Sequence, residues 1–445
     1  MTTSNDLLLA FYGDDFTGST DALEFLGRAG AKTVLFMEPP TVEQLQRYPG
    51  LQAIGVAGMS RAMAPESMEK VLRPAFTALR ALGARHVHYK VCSTFDSSPA
   101  IGSIGKAMDI GATVFPASFI PVMGGAPALG RYCLFGNLFA RMGIGSNGSI
   151  YRLDRHPSMS KHPVTPSDES DLRLHLGRQT KKTIGLMDIV QLAKPAGDAQ
   201  KALQDIIDRG TEAILFDAMS EEQMAGIGAL IDQYAKAGQS LFSVGSSGME
   251  MALGAHWIRQ GKLTAPQHWP APGEASPLLA VSGSCSPVTA GQIAHAVSRG
   301  FGEIALDTAA IMLNGCIPPL LNKYVAEALP VLQEGKSLII HTGRGQSQAM
   351  VPAATAQVLG TALGSIVRAI AAQAAIKRIV IAGGDTSSYA ARALGIEAVE
   401  MIAPLSPGAP LCRAYAPGSP VDGKEINLKG GQVGGEDYFE MLTGR

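Results

Sequence analysis

The sequence predicts an α/β protein of two domains, each a mainly parallel sheet flanked by helices, joined by a Pro-rich linker. Three observations lead there. Apolar runs of strand length alternate with helix-length segments, the pattern of βαβ units. Several of those runs stop abruptly in glycine-bearing turns rich in carboxylates or hydroxyls. The chain has 445 residues, more than one ordinary core holds, and a proline-rich stretch without periodicity divides it.

The alternation begins with a strand over residues 7–12 and a helix over 20–29, where Ala22, Leu23, Phe25 and Leu26 recur at helical spacing. Short buried strands follow at 32–37 and 52–57, an amphipathic helix at 65–82, a strand at 86–91 and the end of another near 114–116. Residues 119–180 carry many glycines and prolines but few periodic runs, and are expected to form a long excursion over the site. Alternation resumes at 183–192, 199–209, 213–216 and 221–237. Four prolines between residues 261 and 277 mark the linker. The expected domains are therefore 1–262 and 278–445. The second has strands near 278–281, 303–306, 337–342 and 378–382, with helices near 289–300 and 354–376.

Composition excludes several classes. The hydrophobic fraction is 46%, charged residues make up 17%, and the net charge is −1. No basic footprint for nucleic acid or membrane is present. The five cysteines are scattered, without the spacing of a disulfide framework or a zinc site. The first apolar run is too short for a signal segment, so a cytoplasmic location is expected. A homodimer is the default expectation for oligomeric state.

The chemistry concentrates at strand ends, where ligands bind in open parallel sheets. Gly13 to Asp21 holds three carboxylates and three hydroxyls, which suits a polyol. A carboxylate here accepts a hydroxyl proton or holds a sugar hydroxyl, although Asp14 or Asp15 capping the next helix is the plainer alternative. Lys90 to Ser98 repeats the design with a lysine, Ser93, Thr94 and Asp96; capping by Ser97 or Ser98 is its plainer reading. In the second half, Ser282, Gly283, Ser284, Cys285 and Ser286 lead from a strand into a helix, where small residues and helix amides suit a phosphate. Gly383, Gly384, Asp385, Thr386, Ser387 and Ser388 do the same, and Lys429 to Gly435 adds a third glycine loop. Neither a Walker A motif nor a dinucleotide fingerprint occurs. Cys92 and Cys285 read as small buried residues at strand ends, and His156, His162 and His175 as caps or loop contacts.

These residues resemble the four-carbon acid sugar kinases, ATP-dependent enzymes that phosphorylate threonate, erythronate or 3-oxo-tetronate. The likeness spans nearly the whole chain. The family's Asp-Asp-x-Thr-Gly stands at 14–18, with Asp21 following, its Ser-Arg at 60–61 and its Gly-Arg at 130–131. Ser-Gly-Ser-Cys-Ser stands at 282–286 and Gly-Gly-Asp-Thr at 383–386. The C-terminal Lys-Ser-Gly-Asn-Phe-Gly is similar to 429–434, with Gly430, Gln432 and Val433 as departures. Residues 92–97 and 162–166 resemble the 3-oxo-tetronate branch, whereas 124–160 depart from the family's form.

The resemblance implies that the first domain holds the sugar acid and the second holds ATP with Mg²⁺. It implies Asp15 as base or hydroxyl orienter. Arg61, Lys90 and Arg131 are candidates for the acid's carboxylate, with Asp14, Ser93, Thr94 and Asp96 around it. Ser282, Ser284, Ser286, Gly383, Gly384, Asp385, Thr386 and Gly431 would surround the nucleotide. The expected reaction converts 3-oxo-tetronate to 3-oxo-tetronate 4-phosphate. A threonate or erythronate kinase is the alternative of the same class, and a non-catalytic sugar-acid-binding protein or regulator the alternative of another.

Overall fold

A computed structural model describes residues 7–142, 148–162, 164–236, 238–343 and 353–444. The chain divides into two compact units, residues 1–34 with 38–267 and residues 35–37 with 268–445. The break at 267/268 lies inside the proline-rich stretch.

The strands in chain order are β1 (Leu9–Gly13), β2 (Thr33–Phe36), β3 (Ala53–Ala57), β4 (His86–Lys90), β5 (Ile120–Met123), β6 (Arg131–Leu134), β7 (Asn137–Arg141), β8 (Ile150–Arg152), β9 (Ile184–Met187), β10 (Ala213–Phe216), β11 (Leu241–Gly245), β12 (Leu279–Ser282), β13 (Gly302–Ala305), β14 (Leu338–His341), β15 (Arg378–Ala382), β16 (Ala398–Ser406), β17 (Ala409–Tyr415) and β18 (Glu425–Lys429). In the first unit, parallel pairing gives the order β3-β1-β4-β11-β5-β10-β9. β1, β3 and β4 are buried along their whole length; β1 and β3 accordingly read as continuous apolar runs, whereas β4 buries His86, His88 and Lys90. The chain leaves β1 toward β3 on one side and returns to β4 on the other. The order reverses at β1, which puts a topological switch point, the usual place for a ligand, at the carboxyl ends of β1 and β4.

Helix Pro65–Ala81 starts with proline at its first turn, where no amide partner is lost. Its buried Met68, Leu72, Ala75, Phe76 and Leu79 form one face. Phe76 packs edge-on to Tyr12 and Tyr89 and lies 5.3 Å from Phe242, centroid to centroid. This cluster braces the strands that carry the first acidic turn. Behind it, the Asp232 carboxylate receives Arg85, His86 and Trp257. Those contacts tie helix Met224–Asp232 to β4 and to helix Gly248–Arg259.

Several expectations need correction. Residues 114–116 end helix Ile104–Val114 and are not strand. That helix is capped by Ser103, whose side chain accepts from the Lys106 amide, and not by Ser97 or Ser98. The 119–180 excursion contains a strand of the main sheet, β5, and a three-stranded antiparallel sheet, β6-β7-β8. The β6–β7 turn escapes sequence reading because Phe135 sits at φ 50° beside Gly136 at φ 82°. Both residues of such a turn are left-handed, and phenylalanine is not a turn residue. The Asp217 carboxylate supplies the reason, accepting the amides of Phe135 and Gly136 at 2.6 and 2.9 Å. β11, β16, β17 and β18 are also unexpected elements.

In the second unit β13-β14-β12-β15-β18 is parallel, and β17 and β16 continue it antiparallel. Three adjacent parallel strands, β12, β15 and β18, therefore end side by side.

Candidate active site

In the first unit the Gly13–Asp21 turn divides its carboxylates between roles. Asp15 is the N-cap of helix Phe16–Arg28. It accepts the Gly18 amide at 2.8 Å and the Thr17 hydroxyl at 2.9 Å, and pairs with Arg61 at 2.8 Å. Burial works to raise its pKa, but Arg61, Lys90 and these hydrogen bonds outweigh burial and hold it below the ordinary carboxylate range. The capping alternative thus holds for Asp15, the residue expected as base.

Asp14 differs. Its amide donates to the Lys90 carbonyl at 2.8 Å and its carbonyl accepts the Arg61 amide at 3.0 Å. The backbone is clamped between the end of β4 and the 3-10 turn Ser60–Ala62, yet the buried Oδ1 has no hydrogen-bond partner among the described residues. Burial, then the charge of Asp15, pushes its pKa up to about 7, against Arg61, Lys90 and the Cys92 amide. A carboxylate with one open oxygen and a pKa near neutrality is suited to take a proton from a hydroxyl.

Lys90 ends β4 fully buried, its Nζ 3.3 Å from Asp21 Oδ2. Burial works against its charge, but Asp21, Asp15 and Asp14 together raise its pKa. The approach depends on Gly18: a Cβ there would press on Asp15 Oδ1 and come within 3.0 Å of Lys90 Nζ. Asp21 takes the Ser247 hydroxyl at 2.7 Å on Oδ2, while its Oδ1 is buried without a partner among the described residues.

The loop after β4 closes the cluster. Ser93 accepts Arg131 Nε at 3.3 Å, and Arg131 Nη1 is anchored on the carbonyls of Leu129 and Arg141. Cys92 contacts Thr94 Oγ1 at 3.0 Å; burial first, then Asp96, pushes its thiol up to about 12, so it is inert at neutral pH. Asp96 caps no helix, and its buried Oδ1 is open among the described residues. The electrostatic neighbours of Arg131 include Asp21 and Asp96, and those of Asp14 include Arg61 and Lys90. All the expected acid-binding residues therefore converge. His156, His162 and His175 make loop contacts, as expected.

Sequence reading missed Glu250, Ser246 and Ser247, at the turn from β11 into helix Gly248–Arg259. Glu250 is completely buried. The signal was present: Gly245, Ser246, Ser247 and Gly248 form the same strand-to-helix turn as at Asp14.

In the second unit the turns after β12, β15 and β18 face one another. The Ser282 hydroxyl accepts the Ser284 amide, Ser284 that of Ser286, and Ser286 that of Val288. Ser286 thus caps helix Pro287–Ser298. Gly383, at φ 130°, precedes helix Gly384–Ala393, and Thr386 reaches the Gly283 carbonyl at 3.5 Å. The Asp385 side chain lies outside the described residues. Two helix N-termini so placed, with small residues before them, suit a phosphate chain. Lys429 turns inward: its Nζ donates to Thr289 Oγ1 at 3.0 Å, and Thr289 donates to the Gly431 carbonyl. Burial pulls Lys429 down to about 7. It holds the glycine loop from beneath.

A Cβ on Gly431 would lie 2.6 Å from Ser284 Oγ and 3.0 Å from Ser286 Cβ. Gly431→Ala is expected to raise KM for ATP roughly tenfold, about 1.4 kcal/mol, and to leave KM for the acid unchanged. Unaltered ATP kinetics in the folded variant would remove this loop from the nucleotide site.

Comparison with known proteins defines the class of protein. Residues 9–253 match the family described as "Sugar-binding N-terminal domain", and residues 279–439 match "Nucleotide-binding C-terminal domain". The chain belongs to the four-carbon acid sugar kinase family and is a sugar-acid kinase. It is 42% identical to a 3-oxo-isoapionate kinase of Paraburkholderia graminis, over 98% of this chain and 94% of that one. It is 31% identical to a 3-oxo-tetronate kinase of Methylobacterium radiotolerans, over 97% and 98%. Among solved structures, a Salmonella typhimurium protein described as a putative tRNA synthase shares the fold at TM-score 0.76 and 24% identity, covering 97% and 98%. A Haemophilus influenzae protein does so at TM-score 0.70 and 22% identity, covering 98% and 99%. No helix among the described residues is long and apolar enough to cross a membrane.

Proposed function

We propose that this kinase transfers the γ-phosphoryl group of ATP to the terminal hydroxyl of a 3-oxo sugar acid. The carrying observation is the open, buried oxygen of Asp14 at the head of the acidic turn. Asp14 accepts the proton of the attacking hydroxyl, while Arg61 holds Asp15 ionised beside it. Lys90, Arg61 and Arg131 supply the positive field that draws the acid's carboxylate, and Asp96 accepts a hydroxyl. The relative at 42% identity ranks 3-oxo-isoapionate first. 3-oxo-tetronate, giving 3-oxo-tetronate 4-phosphate, is second on the weaker likeness and on residues 92–97.

In the second unit, Ser282, Ser284, Ser286, Gly383, Gly384, Thr386 and Gly431 surround the phosphates in this reading. Mg²⁺ keeps several waters and is held beside substrate phosphate by a carboxylate or two, or by a Ser/Thr hydroxyl, and the turns at 282–286 and 383–388 would offer it hydroxyls. Bound there with ATP, it would neutralise charge on the phosphates.

The test is ADP release by the purified chain on 3-oxo-isoapionate, 3-oxo-tetronate, threonate and erythronate. Turnover of threonate or erythronate with none of either 3-oxo acid would refute the assignment. Asp96→Asn bears on the same point. The variant is expected to lower the ratio of kcat/KM for the preferred 3-oxo acid over threonate by about tenfold, the effect of one charge-assisted hydrogen bond. An unmoved ratio would remove Asp96 from substrate choice.

A further inference from the structure

Glu250 lies in the first turn of helix Gly248–Arg259 with no exposed surface. Neither carboxyl oxygen has a hydrogen-bond partner among the described residues. An ionised carboxylate in that state carries a heavy desolvation penalty, so Glu250 keeps its proton at neutral pH. Burial indeed pushes it up to about 8, against the pull of its own backbone amide and of Lys90, with Asp21 adding to the rise.

The titratable groups facing it come from two other elements. On β4, His88 Nε2 approaches Glu250 Oε1 to 3.8 Å. That approach is not an ion pair, because burial and Lys90 hold His88 down to about 3 and its ring nitrogens engage Ser243 Oγ and the Gly245 carbonyl. Lys90, two residues on, shares the His88 face of the strand. On helix Phe16–Arg28 stands Asp21. Glu250 thus has a proton without an acceptor, and Asp21 Oδ1 is an acceptor without a donor. The two belong to one electrostatic cluster.

We propose that Glu250 is a positioning residue for phosphoryl transfer: it keeps its proton, offers it through water to the open oxygen of Asp21, and leaves Lys90 undivided for Asp21 and the Asp14-Asp15 turn. Were Glu250 ionised, it would become a further buried counter-charge for Lys90, from outside the turn, and draw the ammonium away from it. Glu250 touches no substrate; it acts through Asp21 and Lys90.

Glu250→Gln keeps a donor and cannot ionise; Glu250→Met keeps the bulk and removes the donor. The acid that the substrate panel selects is used at saturating ATP, which keeps the titration of Lys429 out of the measurement. Wild-type kcat/KM is expected to fall as pH rises through about 8. Glu250→Gln should match wild type at pH near 7 and lack that fall. Glu250→Met should lose ~10-fold or more at every pH, since each 1.36 kcal/mol is tenfold in rate. Both should keep the wild-type KM for ATP. An alkaline limb in Glu250→Gln superimposable on wild type overturns the proposal, as does full activity in Glu250→Met. A measurement independent of any variant or acid is the carboxyl ¹³C titration of glutamate-labelled wild-type protein. A Glu250 signal already ionised at neutral pH overturns the proposal even if no acid in the panel is turned over.

Discussion

Asp14→Asn is expected to lower kcat by roughly 10²–10⁴, the range for loss of a general base, with KM for ATP unchanged. Asparagine keeps the shape and the backbone clamp but cannot take a proton. Because the base must be ionised to act, wild-type kcat/KM should rise as pH rises through about 7. In the variant that limb should vanish. Asp15→Asn provides the contrast. It removes the negative neighbour that helps raise Asp14, so the acid limb should move to lower pH and persist. The reverse pattern, with the limb lost in Asp15→Asn and kept in Asp14→Asn, would return the base role to Asp15. Equal loss of ATP binding in Asp14→Asn would instead contradict the assignment of the two ligands to separate units.

Lys90→Met should impair both stability and activity. The ammonium is buried against Asp21 and also favours the ionised forms of Asp14 and Asp15. Removing one partner of a buried pair costs about 3–5 kcal/mol, because the other charge stays buried and unpaired. For a domain of this size that is a fall in Tm on the order of 10 °C. kcat/KM for the acid should drop by roughly 10²-fold or more, since each 1.36 kcal/mol is tenfold in rate. Lys90 lowers the pKa of Asp14, so the remaining acid limb should move to higher pH. Thermal melting and a pH–rate profile check both, and an unmoved Tm with an unmoved limb would show that Lys90 is not coupled to the turn.

The sheet strands that lead into the candidate turns were legible because most buried parallel strands read as short apolar runs and the turns that follow break them sharply. The 7–12, 86–91 and 378–382 runs, the turns at 14–21 and 383–388, and the proline-rich break near 267 all carry their own local signals. β11 was not recognised, although it lies between β4 and β5. Its run is short, contains Ser243, and is not followed by a carboxylate-rich turn. The β6–β7 hairpin was not legible at all, since a left-handed phenylalanine is tolerated only because Asp217, 82 residues away, takes its amide.

The sequence by itself determined the α/β class and the family and singled out strand ends as candidates for the chemistry, because each depends on residues close together in the chain. The tertiary structure alone decided how the surroundings of those residues differ. Asp14 and Asp15 are adjacent and chemically identical, and what separates them is that Thr17, Gly18 and Arg61 saturate one while burial leaves an oxygen of the other open. Asp21 meets Ser247 across 226 residues, and Glu250 acquires its surroundings only when helix Gly248–Arg259 is brought against β4 and the first helix. Protonation state, open hydrogen-bonding capacity and charge balance are properties of groups in contact, and long-range contacts of this kind leave no periodicity in the chain.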